Sequence, residues 1–216
     1  MKNYNVIIFD LDGTLSDSGE GITKSVQYAL KKLNIIEEDL QNLKHFVGPP
    51  LKAEFIKTYH LTEEQGADAV RFYRERYIPT GIYETSLYEG VRELLDRLKA
   101  DEKIIAMATS KPQPLAEEVL RFLGIADYFD FVMGADLIGG KQSKEDVLNA
   151  LLEVLPIKDK SQMIMVGDTS FDVLGAASVG VSCIGVTYGY GNKKEMSENG
   201  AIAVVDTALQ LLDYIE

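Results

Sequence analysis

The 216-residue chain has one cysteine, no tryptophan and two histidines, His45 and His60. A single cysteine excludes an internal disulfide, and Cys183, set in VSCIGV, reads as a buried inert thiol. With so few histidines, carboxylates are the more plentiful candidates for any acid–base chemistry. No apolar run approaches the ~18–20 residues that span a bilayer. The N-terminus, MKNYNVIIFD, carries an acid directly after a short apolar run. That pattern suits a buried strand better than a signal peptide, so a cytoplasmic location is expected. Positive charge is also scarce, with 22 Lys and Arg against 34 Asp and Glu and a net charge of −12. Such a field repels nucleic acid and anionic membranes, and neither is expected as a partner. It repels a phosphorylated metabolite too, unless the binding site supplies local positive charge or a metal cation.

What is present is ordinary for a globular protein: 46% apolar and 26% charged residues. There is no internal repeat or low-complexity tract, and no segment specifies an oligomeric state. Short apolar runs ending in turn chemistry occur at 4–9, 103–110, 129–136, 162–170 and 181–189, with a further one at 201–205. These suit strands buried on both faces. Helical spacing marks 90–100, 114–124, 144–155, 171–180 and 207–216. Strands alternating with helices predict an α/β fold with a doubly wound parallel sheet. Between the first two strands lies a long helical stretch, with helices at 19–33, 51–60 and 62–78. Thr62 opens the last as a capping box. This stretch is too long for a crossover. It reads as an inserted helical cap, residues 16–82, on a core of 1–15 plus 83–216.

In such sheets ligands bind beyond the carboxyl ends of the strands. Residues 6–15, VIIFDLDGTL, end the first strand in Asp10 and Asp12. The second ends in Thr109, Ser110 and Lys111, and the fourth in GDTSFD, with Asp168 and Asp172. GGKQSKEDV supplies Lys141 and Lys144. Each residue alone has an ordinary explanation as a turn, a helix cap or a solvated side chain. Together, at one sheet edge, carboxylates, hydroxyls and a lysine fit phosphoryl transfer. That reaction needs a nucleophile, charge neutralisation and a hard cation such as Mg²⁺.

FDLDGTLSDS, the run ending MATSK, the lysine near KEDVL, and GDTSFD resemble, in order, the four motifs of the haloacid-dehalogenase-like hydrolases. The helical insert resembles the cap of the phosphoglycolate-phosphatase-like subgroup. The resemblance implies Asp10 as nucleophile and Asp12 as general acid/base. It implies Thr109 and Ser110 as phosphoryl contacts and Lys144, in preference to Lys141, as the lysine that steadies them. It further implies Mg²⁺ held by Asp10, Asp12 (through its backbone carbonyl) and Asp168, with Asp172 adjoining. Lys111, and in the cap stretch KHFVGPPL and just beyond it Lys44, His45 and Lys52, are candidate substrate contacts. The run 188–192 is a candidate border of the site. The expected activity is Mg²⁺-dependent hydrolysis of a small phosphorylated metabolite, phosphoglycolate-like or a nucleoside monophosphate. A phosphomutase of the β-phosphoglucomutase type and a non-catalytic phospho-binding protein are the alternatives.

Overall fold

The computed structural model describes residues 4–137, 140, 141 and 143–215. The chain forms two compact units. One runs to Asp17 and resumes at Leu87; the other is Ser18–Ser86.

The first unit is built on six strands: β1 (Val6–Phe9), β2 (Ile104–Pro112), β3 (Phe131–Ala135), β4 (Met163–Gly167), β5 (Ser182–Val186) and β6 (Ala203–Val205). They order as β3-β2-β1-β4-β5-β6, and every pairing is parallel. The four side chains of β1 are completely buried, as a central strand covered on both faces requires. Successive side chains alternate between faces. Val6 and Ile8 join a cluster with Val147, Leu148, Leu151, Val173 and Ala176, from helices over 144–154 and 170–178. Helices over 91–100 and 113–122 bury Val91, Leu94, Leu95, Leu98, Ala116, Val119 and Leu120 and contact β2. The sheet changes winding direction between β1 and β4, and at such a switch point a crevice opens at the carboxyl ends. Asp10 and Asp168 follow those two strands directly.

The second unit holds α1 (Gly19–Lys32), α2 (Leu51–Tyr59) and α3 (Glu63–Tyr77). Thr62 and Gln65 form the expected capping box on α3. α1 and the turn at Gly81 touch backbone to backbone: a Cβ on Gly21 would lie 2.0 Å from the Gly81 carbonyl oxygen. Phe46 and Phe55 pack with ring centroids 4.7 Å apart. Arg76 grips Glu84 with both terminal nitrogens, at 2.8 and 3.0 Å.

In the first unit the remaining helices are α4 (Val91–Ala100), α5 (Gln113–Phe122), α6 (Lys144–Val154), α7 (Ser170–Ser178), α8 (Lys193–Glu198) and α9 (Leu212–Ile215). The structure shortens several expected elements. The fourth strand, expected to 170, stops at Gly167 because Asp172 Oδ2 accepts hydrogen bonds from Thr169 N and Oγ1 and starts α7 there. The expected helix 207–216 is a 3₁₀ turn, Leu209–Leu211, followed by α9. α8 and a 3₁₀ stretch at Leu40–Phe46 were not expected.

Candidate active site

The site grows from the ends of β1, β2 and β4. Asp10 leaves β1 with its amide donating to the Val166 carbonyl at 2.9 Å, which fixes the backbone at the switch point. Gly13 then turns the chain at φ +86°, the left-handed region open to glycine. A Cβ there would also lie 2.1 Å from Asp168 Oδ2. Asp10, Asp168 and Asp172 converge, each offering an oxygen within 4.8 Å of the others, and all three are buried.

One cation is shared by two of them. Lys144, at the start of α6, places Nζ 2.8 Å from Asp10 Oδ1 and 2.8 Å from Asp172 Oδ1. The same nitrogen donates to the Ala108 carbonyl at 3.0 Å. Gly175 of α7 makes room for the lysine stem, since a Cβ would sit 2.6 Å from Lys144 Cγ. Asp172 therefore does two things: Oδ2 caps α7, and Oδ1 holds Lys144. Lys141 lies elsewhere, 3.4 Å from Asp136.

Three buried carboxylates and one ammonium leave an excess of negative charge. Burial pushes the Asp10 carboxyl up to about 6; Lys144 pulls it back and Asp172 adds to the rise. Burial, and then Asp172, also hold Asp168 well above the usual carboxylate range, while the Tyr190 N–H opposes them. Burial alone would lower Lys144, but Asp10 and Asp172 outweigh it and raise it above the usual lysine range. This all-oxygen donor set, short of positive charge, fits a hard divalent cation. Among the described residues, Asp10, Asp168 and Asp172 are the side chains able to hold one.

β2 supplies the remaining groups. Its pairing with β3 jumps from Thr109–Gly134 to Pro112–Ala135, so Ser110 and Lys111 bulge out of the ladder. The bulge buries Thr109, whose Oγ1 accepts from the Lys111 amide at 3.2 Å. It also carries Lys111 onto Asp12: Nζ reaches the two carboxylate oxygens at 2.8 and 2.6 Å. Sequence reading set Lys111 down as a substrate contact, and the structure gives it Asp12 as a partner. The Asp12 carboxylate thus stands apart from the three-carboxylate cluster. In the second unit, His45 Nε2 lies 3.2 Å from Thr58 Oγ1 and Lys52 Nζ 2.7 Å from Glu63.

Sequence reading set the run 188–192 down as a border of the site but not the close approach of its glycines, which lets this arrangement close. Gly189 comes so near that a Cβ would lie 2.2 Å from the Gly13 carbonyl oxygen and 2.4 Å from Asp168 Oδ2. The only sequence signal for it was the glycine-tyrosine alternation at 188–191.

The model of the haloacid dehalogenase-like hydrolases matches residues 7–186. A 5'-nucleotidase of Pseudomonas aeruginosa is 43% identical over 89% of this chain and 87% of its own. A tyrosine-protein kinase, PtkA, of Mycobacterium tuberculosis is 37% identical over 96% of this chain and 70% of its own. A phosphoglycolate phosphatase of Vibrio parahaemolyticus is 30% identical over 99% and 97%. The crystal structure of a predicted phosphatase from Clostridium acetobutylicum superposes with a TM-score of 0.95 at 42% identity, covering 99% of this chain and 98% of that one. The chain belongs to the haloacid dehalogenase-like hydrolases and is one of their phosphatases.

Proposed function

We propose that the protein is a Mg²⁺-dependent phosphomonoesterase acting on a nucleoside 5'-monophosphate, with phosphoglycolate as the nearest competing substrate. The observation that carries the reading is the Lys144 ammonium, 2.8 Å from both Asp10 and Asp172 inside a buried carboxylate cluster. The nucleoside preference rests on the 43% identical relative named a 5'-nucleotidase. When bound, the cation supplies positive charge to the carboxylates and to phosphoryl oxygens.

The chain's own groups do the rest. Lys144 on Oδ1 orients Asp10 and leaves Oδ2 to attack phosphorus, so a P–O bond to Asp10 forms as the ester P–O bond breaks. Asp12 enters this step as the carboxylic acid and gives its proton to the leaving oxygen. It then takes one from the water that hydrolyses the aspartyl-phosphate. Once the first proton has left, Lys111 pairs with the Asp12 carboxylate and holds it for the second transfer. Thr109 and Ser110 contact phosphoryl oxygens.

The test is phosphate release across nucleoside monophosphates, phosphoglycolate, sugar phosphates and pyrophosphate with Mg²⁺. A nucleoside 5'-monophosphate is expected to give the highest kcat/KM. EDTA, or Asp10→Asn, should lower kcat by roughly 10³-fold or more. Full turnover surviving either treatment would overturn the mechanism.

A further inference from the structure

The loop after β5, Tyr188-Gly189-Tyr190-Gly191, touches the carboxylate cluster with its backbone and the chain crossings with its side chains. On the cluster side, the Tyr190 amide donates to Asp168 Oδ2 at 2.7 Å. Gly189 and Gly191 are pressed onto the same residue. A Cβ on Gly189 would lie 2.4 Å from Asp168 Oδ2, and one on Gly191 1.8 Å from the Asp168 carbonyl oxygen. No side chain fits between loop and carboxylate, so the two cannot move independently.

On the other side, the Tyr190 hydroxyl donates to Asp17 Oδ1. The Tyr188 hydroxyl donates to the Thr14 carbonyl at 3.0 Å. Asp17 is the last residue of the first unit before the chain leaves for Ser18. The returning chain re-enters at Leu87, and the next residue, Tyr88, joins the same group. Its ring packs on Tyr188 with centroids 4.9 Å apart, its hydroxyl hydrogen-bonds that of Tyr190, and its amide donates to the Leu15 carbonyl at 3.2 Å. Three tyrosines thus add side-chain ties to the short two-stranded pairing that already joins the outgoing end to the incoming end.

We infer that Tyr190 is a positioning residue that couples the state of the Asp168 carboxylate to the order of both chain crossings. Its amide serves the carboxylate and its hydroxyl serves Asp17, so a cation that fixes Asp168 also fixes the crossings. By linkage, ordering the crossings strengthens cation binding by the same factor. This inference rests on the proposal that Asp168 is a metal ligand.

The experiment is amide hydrogen exchange on the full chain, with and without saturating Mg²⁺ alone, beside calorimetric titration of Mg²⁺. In the wild type, exchange at residues 15–18 and 86–88 is expected to slow about 5-fold or more on Mg²⁺ addition, the low end of ordinary coupling. Tyr190→Phe keeps the amide and removes the hydroxyl. It should lose that slowing and, by the same linkage, bind Mg²⁺ more weakly than wild type by the matching factor, about 5-fold. Asp17→Asn retains an acceptor and should keep the response, and Asp17→Ala should lose it. Mg²⁺ binding with no crossing response in the wild type, or an equal response in Tyr190→Phe, overturns the inference and leaves the metal reading standing. Absence of Mg²⁺ binding heat in the wild type overturns the metal reading and the inference with it.

Discussion

Asp10 is held in a place that disfavours the charge it needs. Burial pushes its carboxyl from 3.8 up to about 6, with Asp172 adding to the rise and Lys144 opposing it. Between those two values the folded chain binds the proton more tightly than the unfolded chain. Stability therefore falls as pH rises through that window, and above about 6 the full penalty is present. That rise corresponds to about 3 kcal/mol. Asp10→Asn removes the charge and leaves Lys144 paired with Asp172. In EDTA, the variant's Tm at pH 7.5 should exceed the wild type's by about 2–8 °C, and the gap should close toward pH 4. A variant that melts lower than wild type at pH 7.5 would show that Lys144 pairing, not burial, dominates at Asp10. A residue whose removal stabilises the fold while abolishing turnover is kept for chemistry, which is the residue-scale case for Asp10 as nucleophile.

At the scale of elements, the α6–α7 contact sets the position of Lys144. Helix propensity favours alanine over glycine by about 1 kcal/mol, so Gly175→Ala should stabilise α7 if propensity decides. Packing predicts the opposite sign, because the added Cβ would lie 2.6 Å from Lys144 Cγ and 2.9 Å from its Cβ. The expected outcome is a net loss of about 1–3 kcal/mol from overpacking. A kcat loss of about 10-fold or more should accompany it as Lys144 shifts from Asp10. A rise in Tm with kcat unchanged would show that the helices yield freely. This contact also marks how far the sequence could be read. Strands and helices of the core stood out because a sheet covered on both faces demands unbroken apolar runs. Strand ends place Asp10, Thr109, Asp168 and Asp172 at one edge by topology alone. Leu40–Phe46 escaped because its buried pair, Leu43 and Phe46, repeats every three residues, a 3₁₀ spacing. α8 escaped because it is six residues long and owes its start to the Asn192 side chain, which accepts from Lys194 N and Glu195 N. Lys111 on Asp12 depends on a bulge in β2, and the glycine contacts depend on ångström-scale packing. Neither leaves a periodic trace in the chain.

At the scale of the whole molecule, charge works against the proposed substrate. The net charge is −12, and the buried cations Lys111 and Lys144 are already engaged by Asp12 and by Asp10 and Asp172. A dianionic phosphate ester approaching from solution meets the repulsive field of that net charge. Salt shortens the reach of that field from about 30 Å near 0.01 M to about 10 Å near 0.1 M. Raising ionic strength across this range, with free Mg²⁺ held constant, should therefore raise kcat/KM for a dianionic monoester by about 2–5-fold. The rise should be larger for an ester that bears an additional carboxylate, since repulsion scales with substrate charge. The same measurement with kcat read separately should show the change in KM, because the field acts on approach and not on bond breaking. A kcat/KM that falls with salt would mean that positive charge gathered at the strand ends steers the substrate in, and that the acidic surface is too far from its path to matter.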